Sequence, residues 1–198
     1  MTQGSGAAAV APRRQLLAPD ARRAAIIEAT LPLLAEHGPA TTSAQIAKAA
    51  SISQGTIFHV FGDKQNLIDA AVRHLMDIEP LLAEIDSLRG VRSLQPRLAG
   101  CADVLQRHLV RAMPVIMKCG MPDGHDAKGD LAIRAQASIA ALLEPDAGSL
   151  TRPVGELSGM FFFLCIASAQ QVVMGQPTMA GGTDLATLFL DGARRRKR

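Results

Sequence analysis

In the run Ser53-Gln54-Gly55-Thr56-Ile57-Phe58-His59 the residue types separate with a helical period. Ile57, Val60 and Phe61 fall on one side and suit inward packing. Gln54, Thr56 and His59 fall elsewhere and suit outward display. A glutamine amide donates and accepts at once, which matches the paired hydrogen-bonding edge of adenine. A threonine methyl suits the methyl of thymine. Gly55 stands near the start of this helix, where glycine costs about 1 kcal/mol relative to alanine. A glycine there makes sense where another backbone must come close, and a nucleic acid is one such neighbour. Lys64 is a second anomaly, because a cation at the first position of a helix opposes the helix dipole. A nearby phosphate would reverse that sign. Thr42 and Ser53 stand at helix starts, where free N–H groups attract phosphates. Such contacts set register without reading sequence.

These residues need a frame. A first helix opens at Pro19-Asp20, with Ala24, Ile27, Leu31 and Leu34 along one face, and stops at Gly38-Pro39. Pro32 lies inside it and removes one backbone hydrogen bond. Thr42 followed by Gln45 has the form of a capping box and opens a short second helix that runs to about Ala50. Ser51-Ile52 makes a turn. Ser53 caps a third helix ending near Phe61, and Gly62 fits its stop. Asp63 caps a longer fourth helix carrying Leu67, Ile68, Ala71, Val72, Leu75 and Ile78. Two short helices joined by a tight turn and braced by longer ones make a helix-turn-helix arrangement.

The stretch TTSAQIAKAASISQGTIFHVFGDKQNL resembles the DNA-binding domain of the tetracycline-repressor (TetR) family, over about residues 20 to 75. The closing segment DLATLFLDGA resembles that family's last helix less specifically. Two positions depart from the family pattern. Ser51 stands where glycine is usual in the turn, and Phe58 where tyrosine is usual. Phe58 keeps the ring but lacks a hydroxyl to donate to a phosphate. The resemblance implies an all-α protein: a three-helix DNA-reading domain, then a larger helical domain that holds a small-molecule pocket and pairs two subunits through its last two long helices. It also implies a near-palindromic double-stranded operator, release by a small effector, and a homodimer. The DNA-contacting set is then Thr42, Ser53, Gln54, Gly55, Thr56, Phe58, His59 and Lys64. The expected division is an arm over 1–18, a helix-turn-helix domain over 19–65, a ligand-binding and dimerisation domain over 66–193 and a basic tail over 194–198.

Beyond Glu84 the pattern is softer. Helices are expected over 94–112, interrupted by Pro114 with a short piece to Cys119, then over 131–144, from Pro153 to about Met174, and from Thr183 onward. Met113, Met117 and Met121, with Phe161, Phe162 and Phe163, suit either an adaptable pocket lining or plain core. Arg134, Gln136, Gln170 and Gln171 are the polar groups available to such a pocket. The expected ligand set is Met113, Met117, Arg134, Phe162 and Gln170, and the expected dimer set is Phe161, Ile166, Leu185, Leu188 and Phe189. Three successive phenylalanines cannot face one way on a helix, so one is expected toward a partner and another inward.

Composition sets the outer bounds. Hydrophobic residues make up 48% of the 198, enough for a core, and aromatics only 3%, which suits packed helices better than a β-sandwich. The formal charge of +3 depends on the run Arg194 to Arg198, so it says little about partners. Cys101, Cys119 and Cys165 are odd in number and far apart, which implies no disulfide framework and a reducing, cytoplasmic setting. No secretory leader is apparent, and the apolar stretch 159–169 is too short to span a bilayer. No cofactor is implied, and no catalytic constellation assembles. Asp123, His125, Asp126 and Asp130 lack ligand-type spacing and read as a solvated loop rather than a metal site. Arg13 and Arg14 belong to a flexible arm. The alternative function is a dimeric protein-interaction module whose helix-turn-helix is structural only.

Overall fold

The computed structural model describes residues 18–121, 127–177 and 181–194. Among these the chain forms α1 (Pro19–His37), α2 (Ser43–Ala49), α3 (Gln54–Phe61), α4 (Lys64–Met76), α5 (Glu79–Ser87), α6 (Leu94–Cys119), α7 (Ala127–Leu143), α8 (Val154–Val173) and α9 (Gly182–Ala193). The one extended pairing among the described residues is an isolated bridge between Leu150 and Arg194. The arm with Arg13 and Arg14, the side chains of Asp123, His125, Asp126 and Asp130, and the tail beyond Arg194 lie outside the described residues.

Two apolar cores organise the helices. The first gathers Ile26, Ile27, Leu31 and Leu34 of α1, Ile46 of α2, Ile57 and Phe61 of α3, and Leu67, Ile68, Ala71, Val72 and Leu75 of α4. Ala112 and Val115 of α6 complete it. The second runs from Ile78 to Ala193 and takes the earlier turns of α6 together with α5, α7, α8 and α9. The apolar face of α4 packs into the first core, so that core extends beyond residue 65, where a division was expected. Helix α4 also stops at Met76, short of Ile78. Asp77 leaves helical geometry there (ψ 102°), and Pro80 sits in the first turn of α5, a start that prolines favour.

Helix α6 runs unbroken through Pro114, where an interruption was expected. Proline removes only its own N–H bond and crowds one carbonyl. Ala112 and Val115, buried on either side of it, hold the helix in line against that local penalty. Helix α7 begins at Ala127, one turn before the expected Leu131.

The second core contains contacts that no local pattern announces. Arg97 is 2% exposed; its guanidinium donates to the carbonyls of Leu142 (2.8 Å), Val91 (2.8 Å) and Arg92 (3.3 Å) and pairs with Asp146. Burying a charge requires such pairing. The start of α9 touches α6 so closely that a Cβ on Gly182 would lie 2.1 Å from the Ala99 carbonyl oxygen. In the same contact the Gly182 N–H donates to Asp103 Oδ1 (2.7 Å), so α9 is capped by another helix. Helix α8 is long and apolar enough to cross a membrane by length and composition, longer than the stretch the sequence singled out. Its inner face, with Leu157, Phe161, Phe162 and Cys165, is part of the second core.

Candidate nucleic-acid interface

Each short helix is started by a side chain. Thr42 Oγ1 accepts from the Gln45 N–H (3.2 Å), while Gln45 Oε1 accepts from the Thr42 N–H (2.8 Å), a full capping box. Ser53 Oγ accepts from the Thr56 N–H (3.2 Å) and Asp63 Oδ1 from the Asn66 N–H (2.7 Å). The turn between α2 and α3 is closed by bonds from the Ser51 and Ile52 N–H groups to the carbonyls of Lys48 and Ala47. Ser51 takes φ +55°, the left-handed conformation that glycine enters freely and serine does not.

Helix α3 is amphipathic in the required sense. Ile57 is fully buried and Phe61 nearly so, between α1 and α4. Gln54, Gly55, Phe58 and His59 share the outward side, with Phe58 49% exposed. Thr56 is half-buried, and its hydroxyl is bonded to that of Ser53 (3.0 Å), which leaves its methyl as the group to present. A Cβ on Gly55 would meet only Ser53 Oγ at 3.7 Å, an ordinary contact. Nothing among the described residues demands glycine there.

The remaining members of the DNA set stand differently. The hydroxyls of Thr42 and Ser53 are engaged in caps. Lys64 Nζ donates to the carbonyls of Pro39 (2.9 Å) and Thr41 (3.2 Å). Those two carbonyl dipoles relieve the unfavourable position of a cation at the first turn of α4. Arg23 of α1 braces the end of α3, a contact that the helical period does not announce. Its guanidinium donates to the Val60 carbonyl (3.2 Å) and lies over the Phe61 ring, 4.4 Å from the centroid. Its spacing to α3, 37 positions away, carries no local signal.

The expected ligand set does not converge. Met113 is partly buried against the second core and Phe162 is buried in it, but Met117 is 68% exposed and Gln170 stands on the surface. Met117 follows Val115, the residue α6 buries, by two positions and so points away from it. Arg134 pairs with Glu79 of α5 (2.7 Å). The described cavities lie elsewhere. One of about 270 Å³ opens between α4, α5 and α6 among His74, Pro80, Glu84, Arg107, His108 and Arg111. Glu28 of α1 bridges His74 (2.8 Å) and Arg111 beside it, and Arg107 pairs with Glu84. Burial, reinforced by Arg111 and opposed by Glu84, holds the His108 imidazole below its ordinary value. Burial likewise pushes the Cys165 thiol up to about 12, and raises Cys101 with a contribution from Cys165, so both thiols stay protonated.

Of the expected dimer set, Phe161, Leu185 and Phe189 turn inward, and Phe161 meets Phe189 edge-on at 5.0 Å. Ile166 is partly buried against the second core. Leu188 does face out, at 47% exposure, alongside Met160 (55%) and Phe163 (61%).

Residues 26–71 match the family described as "Bacterial regulatory proteins, tetR family", and structures of that family share the fold over most of the chain. This segment matches the DNA-binding part of TetR-family regulators. Over 77 residues the chain is 43% identical to the HTH-type transcriptional regulator BetI of Burkholderia mallei (strain NCTC 10229), a match covering 38% of each protein. A transcriptional regulator from Saccharomonospora viridis, solved in complex with choline, superposes with TM-score 0.68 at 18% identity, covering 89% of this chain and 100% of that one. The TetR-like regulator LfrR of Mycobacterium smegmatis, solved with proflavine, does so with TM-score 0.59 at 20% identity, covering 87% and 96%. The sequence likeness thus reaches under two fifths of the curated relative's length, and the likeness to the solved structures is one of fold.

Proposed function

We propose that this chain is a ligand-responsive regulator that binds double-stranded operator DNA as a homodimer, with Gln54, Gly55, the Thr56 methyl, Phe58 and His59 facing the major groove. The observation that carries the reading is the outward side of α3: a polar and aromatic surface with a glycine that the fold itself does not require, on a helix braced from behind by Ile57, Phe61 and Arg23. Phe58 supplies an apolar contact to a sugar or thymine methyl in place of a phosphate hydrogen bond. Helices α8 and α9 supply the dimer face through Met160, Phe163 and Leu188.

Effector binding in the second core would reach the DNA-binding domain through α6. That helix lends Ala112 and Val115 to the first core, pairs Arg111 with Glu28, and donates from Lys118 Nζ to the Ala35 and Glu36 carbonyls (both 2.7 Å). An effector that prefers one placement of α6 shifts the spacing of the paired α3 helices, and with it operator affinity, most simply as release from repression. Such a protein works where the chromosome is, in the cytoplasm.

Electrophoretic mobility shift with DNA flanking the protein's own gene tests this. Sequence-dependent binding at moderate salt is expected. Its absence, combined with a tight protein partner, would favour an interaction module. Choline, found on the Saccharomonospora regulator, is the first effector to try, and loss of the shift upon its addition would identify the class.

A further inference from the structure

Helix α9 begins without a cap of its own. Its N-cap position is Gly181, which has no side chain to accept from the N–H groups of the first turn. The acceptor comes from α6 instead. Asp103 Oδ1 takes the Gly182 N–H at 2.7 Å, and the helix dipole favours a carboxylate at that end. The two backbones are close here, since a Cβ on Gly182 would lie 2.1 Å from the Ala99 carbonyl oxygen and 2.7 Å from Asp103 Oδ1. Further along α9, Gln95 Nε2 donates to Thr187 Oγ1 (2.9 Å). Gln95 thus faces Thr187 while Asp103 faces Gly182, so α9 lies antiparallel on α6. The far end of α9 is tied separately: the Thr151 N–H, in the segment leading into α8, donates to the Ala193 carbonyl (2.8 Å). Between these ties α9 packs far more on α6 than on α8. Leu188, beside Thr187, is the large apolar residue that it turns outward.

We propose that Asp103 is a positioning residue of the subunit interface: by capping α9 from α6 it sets the tilt of α9 across α8, and so aligns Leu188 with Met160 and Phe163 on the dimer face. This rests on the dimer reading above. Leu188 stands on one helix and Met160 and Phe163 on another, so the fit of their common surface depends on how the two helices are placed. With the far end of α9 held through Ala193, its near end decides that placement. Helix α6 also packs Ala112 and Val115 into the first core. The same cap therefore carries a movement of α6 to the subunit interface as well as to the DNA-binding helices.

Sedimentation equilibrium and urea unfolding of the full-length protein separate positioning from plain stability. The variants are Asp103→Ala, Asp103→Asn, Gln95→Ala and, as a control in the first core, Ile46→Val. Asp103→Ala is expected to raise the dimer Kd about tenfold, the equivalent of one lost cap. Asp103 is exposed and alanine is the better helix former, so this variant should keep its helical circular dichroism. Asp103→Asn should stay near the wild-type Kd, because its amide oxygen still accepts the Gly182 N–H. Ile46→Val should lower stability and leave the Kd unchanged. Asp103→Ala with a lower unfolding midpoint and a wild-type Kd overturns the proposal, since the cap then acts on stability alone. Asp103→Asn that dimerises as weakly as Asp103→Ala overturns it too. If Asp103→Ala does not fold, Gln95→Ala carries the test, with a smaller rise in Kd expected and a wild-type Kd overturning the proposal. Wild-type protein that sediments as a monomer overturns the dimer reading itself, and that result is in hand before any variant is made.

Discussion

The guanidinium of Arg23 lies over the ring of Phe61, 4.4 Å from its centroid, and donates to the Val60 carbonyl at the end of α3. One side chain of α1 thus fixes both the last turn and the last core residue of the helix proposed to read DNA. Such a stacked cation contributes about 0.5–1 kcal/mol at an exposed site, and a hydrogen bond from a charged donor adds to it. Arg23→Ala is expected to destabilise the protein by about 1–2 kcal/mol in urea unfolding. Arg23→Lys should recover little, because an ammonium lacks the planar fork that stacks and donates together. Full recovery by lysine would show that charge alone acts there.

Gly55 sets stability against binding. Alanine at this position has room, since its Cβ would meet only Ser53 Oγ at 3.7 Å. Gly55→Ala is therefore expected to stabilise the free protein by up to about 1 kcal/mol. It should also weaken operator binding, because the added methyl stands where DNA approaches. Calorimetry and mobility shift on the same sample check both, and unimpaired binding would remove Gly55 from the interface.

Ser51 offers the cleanest test of backbone strain. It holds φ +55° in the turn between α2 and α3. A non-glycine residue in that region costs about 1–2 kcal/mol, partly offset by the extra freedom glycine has when unfolded. Ser51→Gly is expected to raise the unfolding midpoint, with a net gain of about 0.5–1 kcal/mol and operator affinity unchanged. Ser51→Val should do the reverse.

Adjacent phenylalanines on α8 should behave oppositely. Phe163 is 61% exposed and Phe161 is fully buried against Phe189. Phe163→Glu is expected to yield a folded monomer in sedimentation velocity, with helical circular dichroism retained. Phe161→Glu buries an unpaired charge and should fail to fold stably. A Phe163→Glu protein that remains dimeric would place the subunit contact on another face.

Acid should weaken the protein through His108. Its folded value lies below the ordinary 6.5 because burial, then Arg111, disfavour the charged ring more than Glu84 favours it. As pH falls below about 6.5 the unfolded chain takes up the proton first, so stability falls with acidification. The contribution is fully present above that value and is lost as pH falls to the folded value. Comparing urea unfolding of wild type and His108→Gln between pH 7.5 and 5 isolates this part, and the variant should show the shallower pH dependence.

Sequence alone determined the features that depend on near neighbours in the chain. The caps at Thr42, Ser53 and Asp63, the turn at Ser51 and the inward Ile57 and Phe61 are local choices, set by side chains within a few residues and by the helical period, and they carry most of the candidate interface. Tertiary structure decided whatever depends on partners distant in sequence. Lys64 finds carbonyls of the α1–α2 connection, Lys118 those of the last turn of α1, Arg23 finds Phe61, and α6 continues through Pro114 with both cores packed on it. The same reason explains the phenylalanines: their apolar character marked α8 as a packing helix, but which ring faces inward depends on where α6, α7 and α9 dock around it. A residue's propensity is written in the chain beside it, whereas the partner that satisfies a long charged side chain, or the surface that receives an apolar one, exists only once the helices have packed.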